Sequence, residues 1–255
     1  MQYRIGLDLG STAIKCVIVG DGKILWKGNI PTAPDQERLA DELIAKGLGE
    51  LGLPQDSKMP LVSTGYGKSL YKKATMRIDE LSANARGLYL FSDGEARSAI
   101  NIGGQDLKIL KLSEAGEVTD FRMNDKCAAG TGRFFELAAR LLDVPLSKFG
   151  ELSQLPGEEV ELNSTCVVFA ESEIVSLLAR GVPPQSIVRA LHASVARRAA
   201  GLLGRVASDT VWLDGGPAQN KGLSLALEDE LLTDVKVVPE PQFTVAYGAA
   251  MSLKE

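Results

Sequence analysis

The sequence is poor in imidazole, thiol and indole side chains: it has one histidine, three cysteines and two tryptophans in 255 residues. A single imidazole, His192, cannot assemble a histidine metal site, and in the helical pattern ALHASVARRAA it reads as packing or surface. There is no run of 18 apolar residues, so no bilayer-spanning helix is expected. The opening MQYRIGLDLGST has neither the basic flank nor the apolar stretch of a signal peptide, which points to the cytoplasm. Cys16, Cys127 and Cys166 are an odd number in a reducing compartment, so structural disulfides are not expected. A net charge of −5 argues against an extended nucleic-acid surface. No GxxxxGK[ST] string occurs, and the GxGxxG string at Gly47-Leu48-Gly49-Glu50-Leu51-Gly52 falls in a helical pattern instead of linking a strand to a helix start, so neither of the two commonest nucleotide fingerprints is present.

What is present is globular: 45 % hydrophobic and 24 % charged residues, in a chain long enough for two small domains with separate cores. Strand patterns fall at 4–9, 14–19 and 24–29, followed by a helix over 35–52 with Leu39, Leu43, Ile44, Leu48 and Leu51 at helical spacing. A short strand at 60–64 and a helix near 79–92 complete this part. The opening pattern then returns, with strands at 98–102, 106–112 and 118–123 separated by glycine turns. Asp8-Leu9-Gly10 aligns with Asn101-Ile102-Gly103, a period of about 93 residues, too long for a solenoid and suited to two copies of one domain. Helices follow near 131–142, 167–180 and 184–207, then a strand ending in Asp214, a helix near 219–231, a strand at 235–238 and a last helix over 243–253. The expected fold is α/β, with a first domain of residues 1–95 plus 240–255, a second of 96–239, and a cleft between them.

The turn Gly10-Ser11-Thr12 joins two strands and exposes backbone N–H groups to which an anion can come close. Lys15 could reach a terminal phosphate, and Asp8 could hold a water on Mg²⁺. An ordinary hairpin with a surface lysine has the same residues, so this turn alone decides nothing. A second turn, Gly103-Gly104-Gln105-Asp106, and a third, Asp214-Gly215-Gly216 with Asn220 beyond, make the set much more specific. The third ends a strand and begins a helix, a place where an adenosine can lie against glycine backbone. The three turns together resemble the two phosphate motifs and the adenosine motif of the actin, sugar-kinase and heat-shock-chaperone ATPase superfamily. That resemblance implies two ribonuclease H-like domains closing over ATP.

Two further strings surround the remaining cysteines: NDKCAAGTGRFFE around Cys127 and STCVVFAESE around Cys166. Each cysteine sits at or just before a predicted helix start, where the dipole and spare N–H groups favour a thiolate. Two thiolates are half of the usual four on a cubane iron–sulfur cluster, a shortfall that a twofold dimer would remove. Two unrelated buried cysteines fit the spacing as well.

Taken with GGQD, these strings are similar to the activator components of 2-hydroxyacyl-CoA dehydratases and to the related ATPase subunits of benzoyl-CoA reductase, the BadF/BadG/BcrA/BcrD group. The resemblance covers nearly the whole chain. It implies a homodimer that hydrolyses ATP to ADP with Mg²⁺, and one [4Fe–4S] cluster per dimer held by Cys127 and Cys166 of each subunit. It also implies a ferredoxin or flavodoxin as donor, and a dehydratase or reductase component that receives the electron. Lowering a one-electron potential by about 300 mV takes roughly 7 kcal/mol, which a nucleotide cycle can supply and a static site cannot. The expected roles are Gln105 positioning the attacking water, Asp106 beside it, Asp8 acting through Mg²⁺ and Lys15 neutralising charge. Gly10, Ser11, Thr12, Gly103, Gly104, Gly215, Gly216 and Asn220 would cradle the nucleotide.

One departure stands out. The group commonly carries aspartate at the head of the second turn, where this chain has Asn101, which keeps the shape but loses the charge. Two other functions fit parts of the pattern: a small-molecule kinase on the same fold, and a nucleotide sensor that does not turn over.

Overall fold

Three antiparallel strands open the chain: β1 (Tyr3–Leu9), β2 (Ala13–Gly20) and β3 (Lys23–Pro31). The computed structural model describes residues 2–55, 59–124, 130–163, 167–204 and 210–253. Helix α1 (Gln36–Glu50) follows, its start fixed by the Asp35 carboxylate, which accepts from the Arg38 N–H. Its apolar face, Leu39, Leu43, Ile44 and Leu48, is buried against the first sheet, as the spacing of those residues predicts. The chain then adds β4 (Leu61–Thr64) parallel to β1, the two-residue β5 (Met76–Arg77), and α2 (Glu80–Phe91) capped by Asp79. The resulting five-stranded sheet has the order β3-β2-β1-β4-β5.

The second sheet repeats the plan. Strands β6 (Ser98–Ile102), β7 (Leu107–Leu112) and β8 (Val118–Met123) form its antiparallel part. Helices α3 (Gly132–Leu142), α4 (Phe149–Leu152), α5 (Val167–Ala179) and α6 (Pro184–Leu203) come next, then β9 (Thr210–Asp214), α7 (Lys221–Leu231) and β10 (Asp234–Val237). The order β10-β9-β6-β7-β8, read from the far edge, is that of the first sheet. Strand β9 lies parallel to β6 just as β4 lies parallel to β1.

The chain divides into two compact units. One comprises residues 1–96, 112–119 and 243–255, the other 97–111 and 120–242. The second has a continuous core in which Phe134, Phe149, Ile174, Leu191 and Leu213 are fully buried. The first is closed by the last helix, α8 (Thr244–Ala250). That helix packs at backbone distance because three glycines permit it. A Cβ on Gly6 would lie 1.9 Å from the Ala246 carbonyl oxygen, one on Gly248 1.8 Å from that of Ala83, and one on Gly87 2.1 Å from that of Thr244. No helix among the described residues is long and apolar enough to cross a membrane.

Two of the expected helix ends shift. The expected helix over 184–207 stops at Leu203, where Gly204 turns to φ +66°. The expected helix near 219 begins at Lys221, because residues 216–219 form a tight 3₁₀ turn and Asn220 is the cap.

Candidate functional site

In the first unit, β1 and β2 meet at a turn closed by the Gly10 N–H donating to the Ala13 carbonyl, 3.2 Å. Asp8 is the penultimate residue of β1 and is almost fully buried. Its Oδ2 pairs with Lys15 Nζ at 2.9 Å, across the antiparallel ladder. Its Oδ1 is buried with no hydrogen-bond partner. Gly65, with φ +84°, keeps that oxygen clear, for a Cβ there would stand 2.5 Å from it. A bare carboxylate oxygen in a glycine-lined recess fits a Mg²⁺ ion held through water, the mode that ion prefers. Beside Asp8, at the end of the parallel strand β4, lies Thr64, also fully buried and with its hydroxyl oxygen unpartnered. Ser11 and Thr12 are partly exposed on the turn, and Thr32 donates from its hydroxyl to the Gly10 carbonyl at 2.8 Å.

In the second unit the same turn recurs. The Gly103 N–H donates to the Asp106 carbonyl at 2.8 Å, so Gly103–Asp106 has the closure of Gly10–Ala13. Gln105 is exposed at the tip. Asp106, expected within a strand, lies in the turn just before β7, and its Oδ1 pairs with Lys108 Nζ at 2.8 Å. Where the first turn is held by Thr32, this one is clasped by the start of α3. The N–H groups of Gly132 and Arg133 donate to the Gly103 and Gly104 carbonyls at 2.8 and 2.9 Å, and the Thr131 hydroxyl donates to Gly104 at 2.9 Å.

The third turn stands against the second. Gly215, at φ +96°, comes so close to β6 that a Cβ would sit 2.1 Å from the Ile102 carbonyl oxygen. Asn220 caps α7, its Oδ1 accepting from the Gly222 N–H at 3.0 Å. Its amide nitrogen lies 2.8 Å from Nε2 of His192 on α6. That imidazole is buried, and burial pushes its pKa down to about 3. It is a neutral packing group in contact with the third turn.

The structure thus gathers Asp8, Lys15 and the Gly10 turn in one unit, and the Gly103 and Gly215 turns with Asn220 in the other. Cys127 and Cys166 lie outside the described residues. Cys16 is a fully buried thiol on β2 whose pKa burial raises. Lys108 and Thr64 were not among the expected site residues. Lys108 stands as far beyond Asn101 as Lys15 stands beyond Asp8, so the internal repeat carried the signal for it. Thr64 had none, because its place beside Asp8 arises only from strand pairing.

A family model described as the BadF/BadG/BcrA/BcrD ATPase family matches residues 5–252. The chain is 41 % identical over 252 residues to the activator of lactoyl-CoA dehydratase from Anaerotignum propionicum, covering 98 % of this chain and 96 % of that one. It is 39 % identical over 265 residues to the (R)-2-hydroxyglutaryl-CoA dehydratase activating ATPase of Acidaminococcus fermentans, covering 98 % and 96 %. Among solved structures, the activator of the 2-hydroxyisocaproyl-CoA dehydratase from Clostridium difficile with bound ADPNP superposes with a TM-score of 0.90 at 40 % identity, covering 98 % and 93 %. The fold is the two-domain ribonuclease H-like fold of the actin-like ATPases.

Proposed function

The chain belongs to the BadF/BadG/BcrA/BcrD ATPase family, and from that premise we propose that it is an ATP-dependent activator of a 2-hydroxyacyl-CoA dehydratase or a related reductase. In this reading the protein works as a homodimer. Cys127 and Cys166 of each subunit hold one [4Fe–4S] cluster, and a ferredoxin or flavodoxin recharges it. The donor set suits that group, since both ligands are cysteines and α5 begins directly after Cys166. The cluster, when bound, would supply a one-electron carrier of low potential.

The observation that carries the reading is the clasp of α3 on the second glycine turn. Gly103 and Gly104 present carbonyls to Thr131, Gly132 and Arg133, while the N–H side of a glycine turn is what accepts phosphate. Cys127 lies just upstream of this helix start in the chain. A change in the turn on loss of the γ-phosphate would therefore reach the cysteine-bearing segment through three hydrogen bonds. Asp8 would hold Mg²⁺ through water and Lys15 would offset charge developing on the phosphates. Gln105, exposed at its turn, would orient the attacking water. Gly10, Ser11, Thr12, Gly215, Gly216 and Asn220 would hold the rest of the nucleotide, with Asp106 fixed by Lys108.

Anaerobic purification with iron and sulfide analysis tests this. About four irons per dimer are expected, with loss in Cys127→Ala and Cys166→Ala, and with phosphate release from ATP. A colourless protein that cannot be reconstituted, yet phosphorylates an added sugar, would overturn it in favour of a kinase.

A further inference from the structure

The two sheets can be matched rung by rung, and one rung differs in an informative way. In the first unit, Asp8 at the end of β1 faces Lys15 on β2 and Thr64 on β4. In the second, Asn101 at the matching place on β6 faces Lys108 on β7 and Asp214 on β9. Each rung holds a lysine, a carboxylate and a neutral hydrogen-bonding group. In the second unit the acidic and neutral groups have exchanged strands. The exchange is a contact as well as a pattern, since Asn101 Nδ2 donates to Asp214 Oδ2 at 3.0 Å.

We propose that Asp214 is a positioning residue that supplies, from β9, the carboxylate missing at Asn101, so that the Asn101–Asp214 pair acts as one acidic unit toward the Mg²⁺–nucleotide. Asp214 is fully buried, and a buried charge is costly to keep. A hydroxyl, as at Thr64, would complete the ladder without that cost. A carboxylate only accepts, so it fixes the Asn101 amide with its NH₂ toward β9 and its carbonyl oxygen turned away. The pair therefore presents an oxygen backed by a negative charge, the electrostatic equivalent of an aspartate at 101. Asp106, an acid on the adjoining turn, has its Oδ1 paired with Lys108.

This rests on the nucleotide reading above, and the test separates the two. ADPNP binding is measured by titration calorimetry with and without Mg²⁺ on the whole protein. The variants are Asp214→Thr and the double variant Asn101→Asp/Asp214→Thr, which copies the Asp8/Thr64 rung. Asp214→Thr should lose at least tenfold of the affinity gain that Mg²⁺ confers, and the double variant should recover most of it. A wild-type Mg²⁺ gain left intact in Asp214→Thr overturns the proposal alone. If Asp214→Thr does not fold, the double variant decides: folded with the Mg²⁺ gain it supports the proposal, folded without it overturns it. A wild type that binds no nucleotide overturns the functional reading and this proposal together.

Discussion

Asn220 and His192 share a hydrogen bond that fixes both side chains. The Asn220 carbonyl oxygen accepts from the Gly222 N–H, so its amide nitrogen must face the ring and donate to Nε2 at 2.8 Å. The imidazole then carries its proton on Nδ1, which is buried and has no hydrogen-bond partner. The cap of α7 and the adjoining glycine turn therefore depend on a ring that stays neutral.

That neutrality predicts how folding stability varies with pH. Burial lowers the folded-state pKa of His192 to about 3, while in the unfolded chain it is about 6.5. Below the unfolded value the unfolded chain binds a proton that the folded one refuses. The contribution is complete above about pH 6.5 and is lost as pH falls toward 3, at up to about 1.4 kcal/mol per pH unit. Urea unfolding at several pH values should show this slope in the wild type, and His192→Gln should flatten it between pH 6 and 4.

Lys15→Met should destabilise the first unit. It leaves the buried Asp8 carboxylate without its cation, at a cost of about 3 kcal/mol. Adding Asp8→Asn should restore part of the loss, because the two residues act as a pair. Urea midpoints of the wild type, Lys15→Met, Asp8→Asn and the double variant give the coupling.

Thr131→Val removes one of three hydrogen bonds between α3 and the Gly103 turn, worth about 1 kcal/mol. For the cluster proposed above, iron content should be unchanged. The difference in that proposed cluster's potential between the ATP and ADP forms, read by redox titration, should shrink.

Gly248→Ala should be among the most damaging single methyl additions in the chain. The new carbon would meet a backbone oxygen that cannot step aside, so a loss of about 3 kcal/mol is expected. Thermal unfolding should report it, while Gly201→Ala, with open space around it, should leave the midpoint unchanged or raise it.

Much of the architecture was legible because it is local. The strands around each glycine turn and the apolar face of α1 follow from spacing, and their bounds fall within a few residues of expectation. Strand β5 and helix α4 were not anticipated, because two and four residues are too few to show a period. The glycine turns were found from their own residues. The place of Thr64 beside Asp8 and the bond of Asp214 to Asn101 depend on pairing of distant strands, the latter spanning 113 positions. His192 was expected to be inert, and its hydrogen bond to Asn220 is of the same long-range kind.

Helix α8 gives the chain an unusual order of completion. A protein emerging from the ribosome usually finishes its first domain first. Here the helix that seals β1, β2 and α2 is made after the whole second unit. The beginning of the chain must wait, with Val17 and Val19 uncovered, until its end arrives. Throughout synthesis the first unit is therefore the vulnerable one, and a premature stop before residue 244 would leave it without its lid.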